Sequence, residues 1–252
     1  MWDNAPLLRS ISSALVSFSV LAVLYGAIDY AVHLPRLLPI NKVKLSAAPE
    51  RLVAGDVLAR VKSEVRGNFF TVDIEHLRKS LEALPWVRKV SIRRQFPDSL
   101  ILQFEEHQPL ARWNDAALVN VQGEVFEAQT GQVLPEFIGY AGSSAEMVQQ
   151  YAKFSQQLAV LGLRVTQLAL SPRHAWQMHL SNDMEVELGR AELQERLARF
   201  VAVYPYSLGE MRETTSPDSK TVMPVTGQKL KVEYVDMRYR NGFVVRMRHG
   251  NA

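Results

Sequence analysis

The side chains that most often carry chemistry are thinly spread in this chain. It contains no cysteine, which excludes disulfides, thiolate metal sites and a cysteine nucleophile. Six histidines are present, and none pairs with another at the spacing that puts two imidazoles on one helix face as metal ligands. His174 and His179 stand five apart across a break between two apolar runs, and read as satisfied or exposed side chains. Glu105 and Glu106 are adjacent at a predicted strand end. Neighbouring side chains on a strand point to opposite faces, so the two cannot cooperate as acid and base, and a solvated strand end is expected. The glycine-rich phosphate loops, the His-Glu-x-x-His zinc pattern and the Gly-x-Ser-x-Gly nucleophile elbow do not occur. These absences point to binding rather than catalysis, with no cofactor and no small-molecule substrate expected.

Composition narrows the kind of binding. The 252 residues are 47% hydrophobic and 22% charged, enough apolar material for a packed core. The net charge is +3. Only Arg88, Lys89, Arg93 and Arg94 come close together, whereas a nucleic-acid surface needs a concentrated basic footprint. Nucleic acid is therefore not an expected partner.

The elements that would position a binding surface begin with an anchor. Ser10 to Ile28 is an uncharged run of 19 residues between Arg9 and Asp29. A bilayer core of about 30 Å needs about 20 helical residues. The run fits, with Trp2, Tyr25 and Tyr30 as interfacial anchors. A cleaved signal peptide is disfavoured by the length of the run and the single Arg before it. A buried core helix is disfavoured because every face is apolar. Charge counting sets Asp3 and Arg9 before the span against Arg36, Lys42 and Lys44 after it. That alone would place the long C-terminal part inside, but large domains translocate largely regardless of charge.

The body reads as two units. From about Ile40 to His107, Val43 and Leu45 mark a short strand. Val53, Val57, Leu58, Val61 and Val65 recur at helical spacing, and Asp73 caps a second helix with Ile74, Leu77, Leu81 and Leu84 on one face. A hairpin follows, Val90 and Ile92 against Leu100, Leu102 and Phe104, turned at Pro97-Asp98. The order strand, helix, helix, strand, strand lets two helices cover one face of a three-stranded sheet.

The second unit, from about Gln108, holds a hairpin at Gln122-Gly123-Glu124, helices over Ala145–Gly162 and Ala191–Tyr204, and strands at Val165–Ser171, Trp176–Leu180 and Met184–Leu188. Residues 207–227 read as a long polar loop. The chain ends in a hairpin, Lys231–Tyr239 and Phe243–Arg248, joined by Asn241-Gly242, a type I′ signal. Neighbouring strands pairing in series give an extended antiparallel sheet with two helices. If the last strand lies at the sheet edge, its outer backbone groups are either guarded, by Arg246 and Arg248, or used by a partner strand. Sequence physics alone favours guarding.

Several stretches resemble the FtsQ (DivIB) cell-division family: Phe70–Ile74, Leu81–Val87, Val90–Asp98, Pro109–Trp113, Leu118 with Asn120, Gly123 and Phe126, Leu188–Arg190, Glu195–Phe200, and Tyr234–Tyr239 with Asn241-Gly242-Phe243. The resemblance implies an α+β chain: a cytoplasmic tail over residues 1–9, one transmembrane helix over 10–31, a periplasmic POTRA domain over 38–107 and a C-terminal β domain over 108–252. It places the body in the periplasm and the chain in the inner membrane at the division septum, in contact with inner-membrane lipid. It implies a scaffold that joins early and late division proteins, binding FtsB and FtsL and associating with FtsK, FtsW and FtsI. Tyr239 matches a tyrosine that packs on FtsB, and Arg173 a basic position facing the same partner. Arg238, Asn241, Gly242, Phe243, Val244, Val245, Arg246 and Met247 match the strand edge to which FtsB adds. The competing reading, from the POTRA unit alone, is an envelope assembly or transport factor.

Overall fold

The computed structural model describes residues 5–34, 38–47, 50–52, 54–208, 230–240 and 242–249. Trp2 as an anchor, Arg36 as a flanking charge, Val53 on its helix, residues 209–227 of the polar loop and Asn241 of the turn lie outside the described residues. Contacts divide the chain into two units, Met1–His107 and Gln108–Ala252.

The first unit opens with α1 (Ala5–Val32). Its apolar stretch Arg9–Val32 is exposed along its length, with only Ala31 and Val32 at its end half-buried. At 1.5 Å per residue it is about 36 Å long, enough to cross a bilayer core. Then come β1 (Lys42–Leu45), α2 (Ala54–Glu64), α3 (Ile74–Glu82), β2 (Val87–Gln95) and β3 (Ser99–Glu106). The sheet order is β1-β3-β2. β1 runs parallel to β3 with Val43 opposite Leu100, and β2 pairs antiparallel with Val90 opposite Phe104. Val57 and Val61 of α2, Leu77 and Leu81 of α3, and Val90, Leu100 and Leu102 of the sheet form one buried cluster. The Asp73 carboxylate accepts from the His76 backbone N–H at 2.9 Å and so caps α3. The expected strand, helix, helix, strand, strand order is borne out. Of the carboxylates expected to be solvated at the end of β3, Glu105 is exposed and Glu106 is half-buried. Glu105 pairs with Arg88, and Glu106 accepts from the backbone N–H groups of Arg51 and Leu52. The two still act apart, because they stand on opposite faces.

The second unit is a nine-stranded sheet: β4 (Pro109–Trp113), β5 (Ala117–Asn120), β6 (Val125–Phe126), β7 (Glu136–Ile138), β8 (Val165–Leu170), β9 (Trp176–Leu180), β10 (Glu185–Gly189), β11 (Leu230–Asp236) and β12 (Val244–His249). Their order is β12-β11-β10-β9-β8-β7-β4-β5-β6. The sheet is mixed rather than antiparallel throughout. β7 runs parallel to both β4 and β8, and β10 runs parallel to β11. The reason lies in the connections: a parallel pair needs a long crossover, usually a helix. Helix α4 (Ser144–Leu158) links β7 to β8, and α5 (Leu193–Val203) lies between β10 and β11. Strands β4 and β7, short and bounded by loops, were not apparent as strands in the periodicity.

The two helices share one face of the sheet. Phe154 of α4 meets Trp176 of β9 edge-to-face at 5.8 Å. Leu158, Leu168, Met178, Val186, Leu197 and Phe200 are fully buried around them. Gln194 of α5 accepts from Gln157 and donates to Gln150 of α4, at 2.7 and 3.1 Å. The helix expected to end at Pro205 instead runs on as a π-helical turn, Tyr204–Leu208.

Gly123 has φ +87°, and a Cβ there would stand 2.5 Å from the Ala145 Cα at the start of α4. Both the left-handed backbone and the contact with main chain penalise a side chain. Gly123→Ala is therefore expected to cost at least about 1–2 kcal/mol in urea denaturation. Gly131→Ala, with nothing within 4 Å, is expected to change stability by less than about 0.5 kcal/mol.

Candidate functional site

The terminal strand β12 is the first strand in the sheet order. It pairs with β11 on one side, from Leu230 opposite His249 to Asp236 opposite Val244. Among the described residues no strand pairs with its other side. Phe243 and Val245 pack against the core, whereas Val244 and Met247 are exposed. Arg246 lies over the Tyr234 ring at 5.1 Å and pairs with Glu233 at 3.8 Å. The edge thus carries a cation, Arg246, already engaged along its own hairpin, and two exposed apolar side chains, Val244 and Met247, on opposite faces of the strand.

The expected two-residue turn includes Asn241, which lies outside the described residues. Asp236 opposite Val244 is the last pair in register, so Asn241-Gly242 sits within a longer connection. The cause is β10. The Met237 N–H donates to the Glu187 carbonyl at 2.9 Å, and the Met237 side chain is fully buried. The chain therefore follows the parallel ladder past Asp236 instead of turning back with β12.

A brace of charges holds this point. Asp236 is 4% exposed. The Arg238 guanidinium donates to its two carboxylate oxygens at 2.6 and 2.9 Å, and the Arg238 backbone N–H donates to Oδ1 at 2.9 Å. Arg238 also pairs with Glu187 at 2.9 Å, and the Tyr234 hydroxyl donates to Glu187 at 2.5 Å. The hydrogen bonds from Arg238 hold the Asp236 carboxyl below the usual carboxylate range. Burial first, and the Glu187 carboxylate second, push the Tyr234 phenol upward. Arg199 of α5 donates to the Tyr239 carbonyl at 3.1 Å. Tyr239 is thus pinned through its backbone while its side chain remains 55% exposed.

Arg173 reaches the same end of the sheet by another route. It sits in the β8–β9 turn, closed by Ser171, whose carbonyl accepts from His174 N–H at 2.8 Å and whose hydroxyl accepts from Ala175 N–H at 3.0 Å. His174 takes φ +58° and meets Tyr140 edge-on at 5.7 Å. Arg173 is exposed. Register carries the relation across the strands: Leu170 faces Trp176, Trp176 faces Gly189, Glu187 faces Asp236 and Asp236 faces Val244. At about 4.8 Å per strand, the Arg173 turn and the Tyr239 loop lie roughly 10–15 Å apart. A groove of about 480 Å³ runs beside them, lined by Tyr140, Leu170, Pro172, Trp176, Gln177 and Glu187 among others.

Register places Arg173, Arg238, Tyr239, Gly242 and Phe243 at one end of the second unit's sheet, with Val244, Val245, Arg246 and Met247 running from that end along the edge strand. Glu187, Asp236 and Arg199 hold that end, and sequence reasoning did not single them out. Glu187 was visible as an outward polar position on a period-two strand. Arg199 had no local signal, because its partner, the Tyr239 carbonyl, is 40 residues away, whereas Asp236 pairs with Arg238 only two residues on. Among the described residues no group of three or more acidic or histidine side chains could hold a metal ion.

These features define a class: a chain with an N-terminal helix long and apolar enough to cross a membrane, a β-α-α-β-β unit, and a β unit whose last strand pairs on one side only among the described residues. Comparison with known proteins is specific. The family profile "POTRA domain, FtsQ-type" matches residues 38–107, and "Cell division protein FtsQ/DivIB, C-terminal" matches residues 111–238. A protein named Cell division protein FtsQ from Nitrosospira multiformis is 37% identical over 98% of this chain and 99% of its own length. The Burkholderia pseudomallei protein of the same name is 34% identical over 98% and 94%. That from Escherichia coli is 36% identical over 71% of this chain and 62% of its own. The chain belongs to the FtsQ/DivIB family of cell division proteins. The C-terminal match ends at Arg238, so Tyr239 and β12 lie just past it.

The brace has a signed pH consequence. A carboxyl whose folded pKa is depressed stabilises the fold above its unfolded pKa, and that contribution is lost as pH falls through the folded value. Asp236→Asn is expected to lower the urea midpoint at pH 6–7 and to have much less effect near pH 2. Arg238→Ala, leaving a buried carboxylate unpaired, is expected to cost about 1–3 kcal/mol at pH 7. Tyr239→Ala should leave stability within about 0.5 kcal/mol of the parent.

Proposed function

We propose that this chain is a non-enzymatic scaffold of the division machinery that binds FtsB and FtsL at the corner formed by β12, Tyr239 and Arg173, and so promotes septal peptidoglycan synthesis. In this reading the tail before Arg9 is cytoplasmic, residues 10–31 cross the inner membrane, and the POTRA unit over 38–107 and the β domain over 108–252 stand in the periplasm at the septum. FtsK, FtsW and FtsI join the same assembly.

The observation that carries the reading is the open side of β12 beside an exposed, backbone-pinned tyrosine. A partner strand laid along six residues gains about six main-chain hydrogen bonds, at roughly 1 kcal/mol net each. The entropy of association offsets most of that. Strand addition by itself therefore falls short of micromolar affinity, which needs about 8 kcal/mol, and side-chain anchors must supply the rest. Tyr239 offers a large rigid contact with a polar tip. Arg173 offers a two-pronged site for a carboxylate. Arg238 contributes by holding the loop that presents Tyr239, since its own hydrogen bonds lie within the chain.

Titration of the detergent-solubilised chain with an FtsB–FtsL complex tests this. Tyr239→Ala and Arg173→Glu are each expected to weaken binding by about 30-fold or more, the level of an interface hot spot. Val133→Ala, a fully exposed position away from the corner, should leave affinity unchanged. Parent affinity in both site variants would defeat the assignment.

A further inference from the structure

The last carbonyls of a helix have no partner within it. At the end of α1 they find one in Asn68, which is fully buried. Its amide N–H₂ donates to the Val32 carbonyl at 2.5 Å and to the Leu34 carbonyl at 3.0 Å. Its Oδ1 accepts from the Phe70 and Thr71 backbone N–H groups at 2.9 and 3.0 Å, and from the Thr71 hydroxyl at 3.0 Å. The Phe69 N–H donates to the Leu38 carbonyl at 3.0 Å. One side chain thus ties the turn before α3 to the end of the membrane-spanning helix.

The tie fixes what lies next to it. Through Asn68, the Phe70 backbone stands within about 8 Å of the Val32 carbonyl. Phe69 is buried and meets the Phe70 and Phe96 rings edge-on at 5.4 and 6.0 Å. Phe70 is 47% exposed and Phe96 72% exposed. Arg94 reaches into the same turn, donating to the Val72 carbonyl at 2.9 Å. Two open aromatic rings beside a cation are costly in free solvent. They suit the headgroup boundary, where aromatic side chains and basic groups meet anionic lipid. The helix itself sets the level. A stretch of about 36 Å centred on a core of about 30 Å leaves Val32 in the headgroup layer.

We infer that Phe70 and Phe96, clipped to the end of α1 by Asn68, form a lipid-contacting patch that seats the POTRA unit on the membrane surface. This rests on α1 spanning the bilayer. The patch is a second, shallow contact that restrains how the unit swings about its anchor, which an unclipped linker would leave free.

The cysteine-free chain allows a direct test. Full-length Phe70→Cys, Phe96→Cys and Lys89→Cys variants carry a fluorescent label and are reconstituted in phosphatidylethanolamine–phosphatidylglycerol vesicles. Lys89 is exposed and lies on the same hairpin, roughly 23 Å from Phe96 along β2. Co-flotation with vesicles reports on the anchor alone. Labels at 70 and 96 are expected to be quenched by shallow lipid-borne nitroxide and shielded several-fold from aqueous iodide. The label at 89 should show the reverse. Adding Asn68→Ala to the Phe96→Cys variant should raise iodide access at 96 towards the value at 89, with circular dichroism unchanged. Equal iodide access at all three positions in chains that float would overturn the patch. Shielding without lipid-borne quenching would also overturn it, assigning those rings to protein contact.

Discussion

The parallel pairing of β10 with β11 is the constraint on which the terminal corner depends. It is assembled across a long connection, through α5 and the residues after it, and a ladder closed over such a distance needs reinforcement at its end. Glu187 supplies that reinforcement from β10. Its carbonyl takes the Met237 N–H, and its carboxylate takes the Tyr234 hydroxyl and the Arg238 guanidinium. Arg238 in turn neutralises Asp236, a carboxylate that burial would otherwise make costly. Without these contacts β11 has no fixed end, and β12, which pairs only with β11 among the described strands, has no fixed position.

That arrangement explains why one corner gathers features drawn from distant parts of the chain. The Arg173 turn belongs to a local hairpin, β8–β9, and would form almost anywhere. It becomes relevant because β9, β10, β11 and β12 are consecutive in the sheet and end at the same level. The Tyr239 side chain is exposed, yet its backbone is held from below by Arg199. A large aromatic held still before a partner arrives loses less entropy on binding, and the proposed recognition by Tyr239 draws on that rigidity. The open edge raises the opposite problem of unwanted pairing. Arg246 answers part of it, because a cation lying along the hairpin disfavours indiscriminate strand stacking without blocking the backbone.

The two units carry different kinds of contact. In the first, Asn68 joins a membrane helix to a small α/β layer by hydrogen bonds to backbone, the kind of contact that fixes position rather than identity. In the second, the helices cover one face of the sheet and leave the other polar, with Glu136, Gln167, Gln177 and Glu185 bonded to one another in pairs. Among the described residues, this unit also presents a strand, β12, that pairs on one side only.

Much of this was legible in the residues. The uncharged run after Arg9 marked a candidate span by length and composition alone. Asp73 before Ile74, Leu77 and Leu81 determined a capped amphipathic helix, because capping and periodicity are local. The clustered motifs from Phe70 to Phe243 identified the family, and with it the candidate residues Arg173 and Tyr239. Tertiary structure decided what local pattern cannot encode. It turned an expected antiparallel series into a mixed sheet, because strand direction is set by where α4 and α5 return the chain. It lengthened the connection around Asn241-Gly242, because the pull of Glu187 on Met237 comes from residues some fifty positions away. It also brought Glu187 to Arg238 and made Asn68 the cap of a helix that ends 36 residues earlier. Each is a pairing between distant residues, and such pairings exist only once the chain has closed on itself.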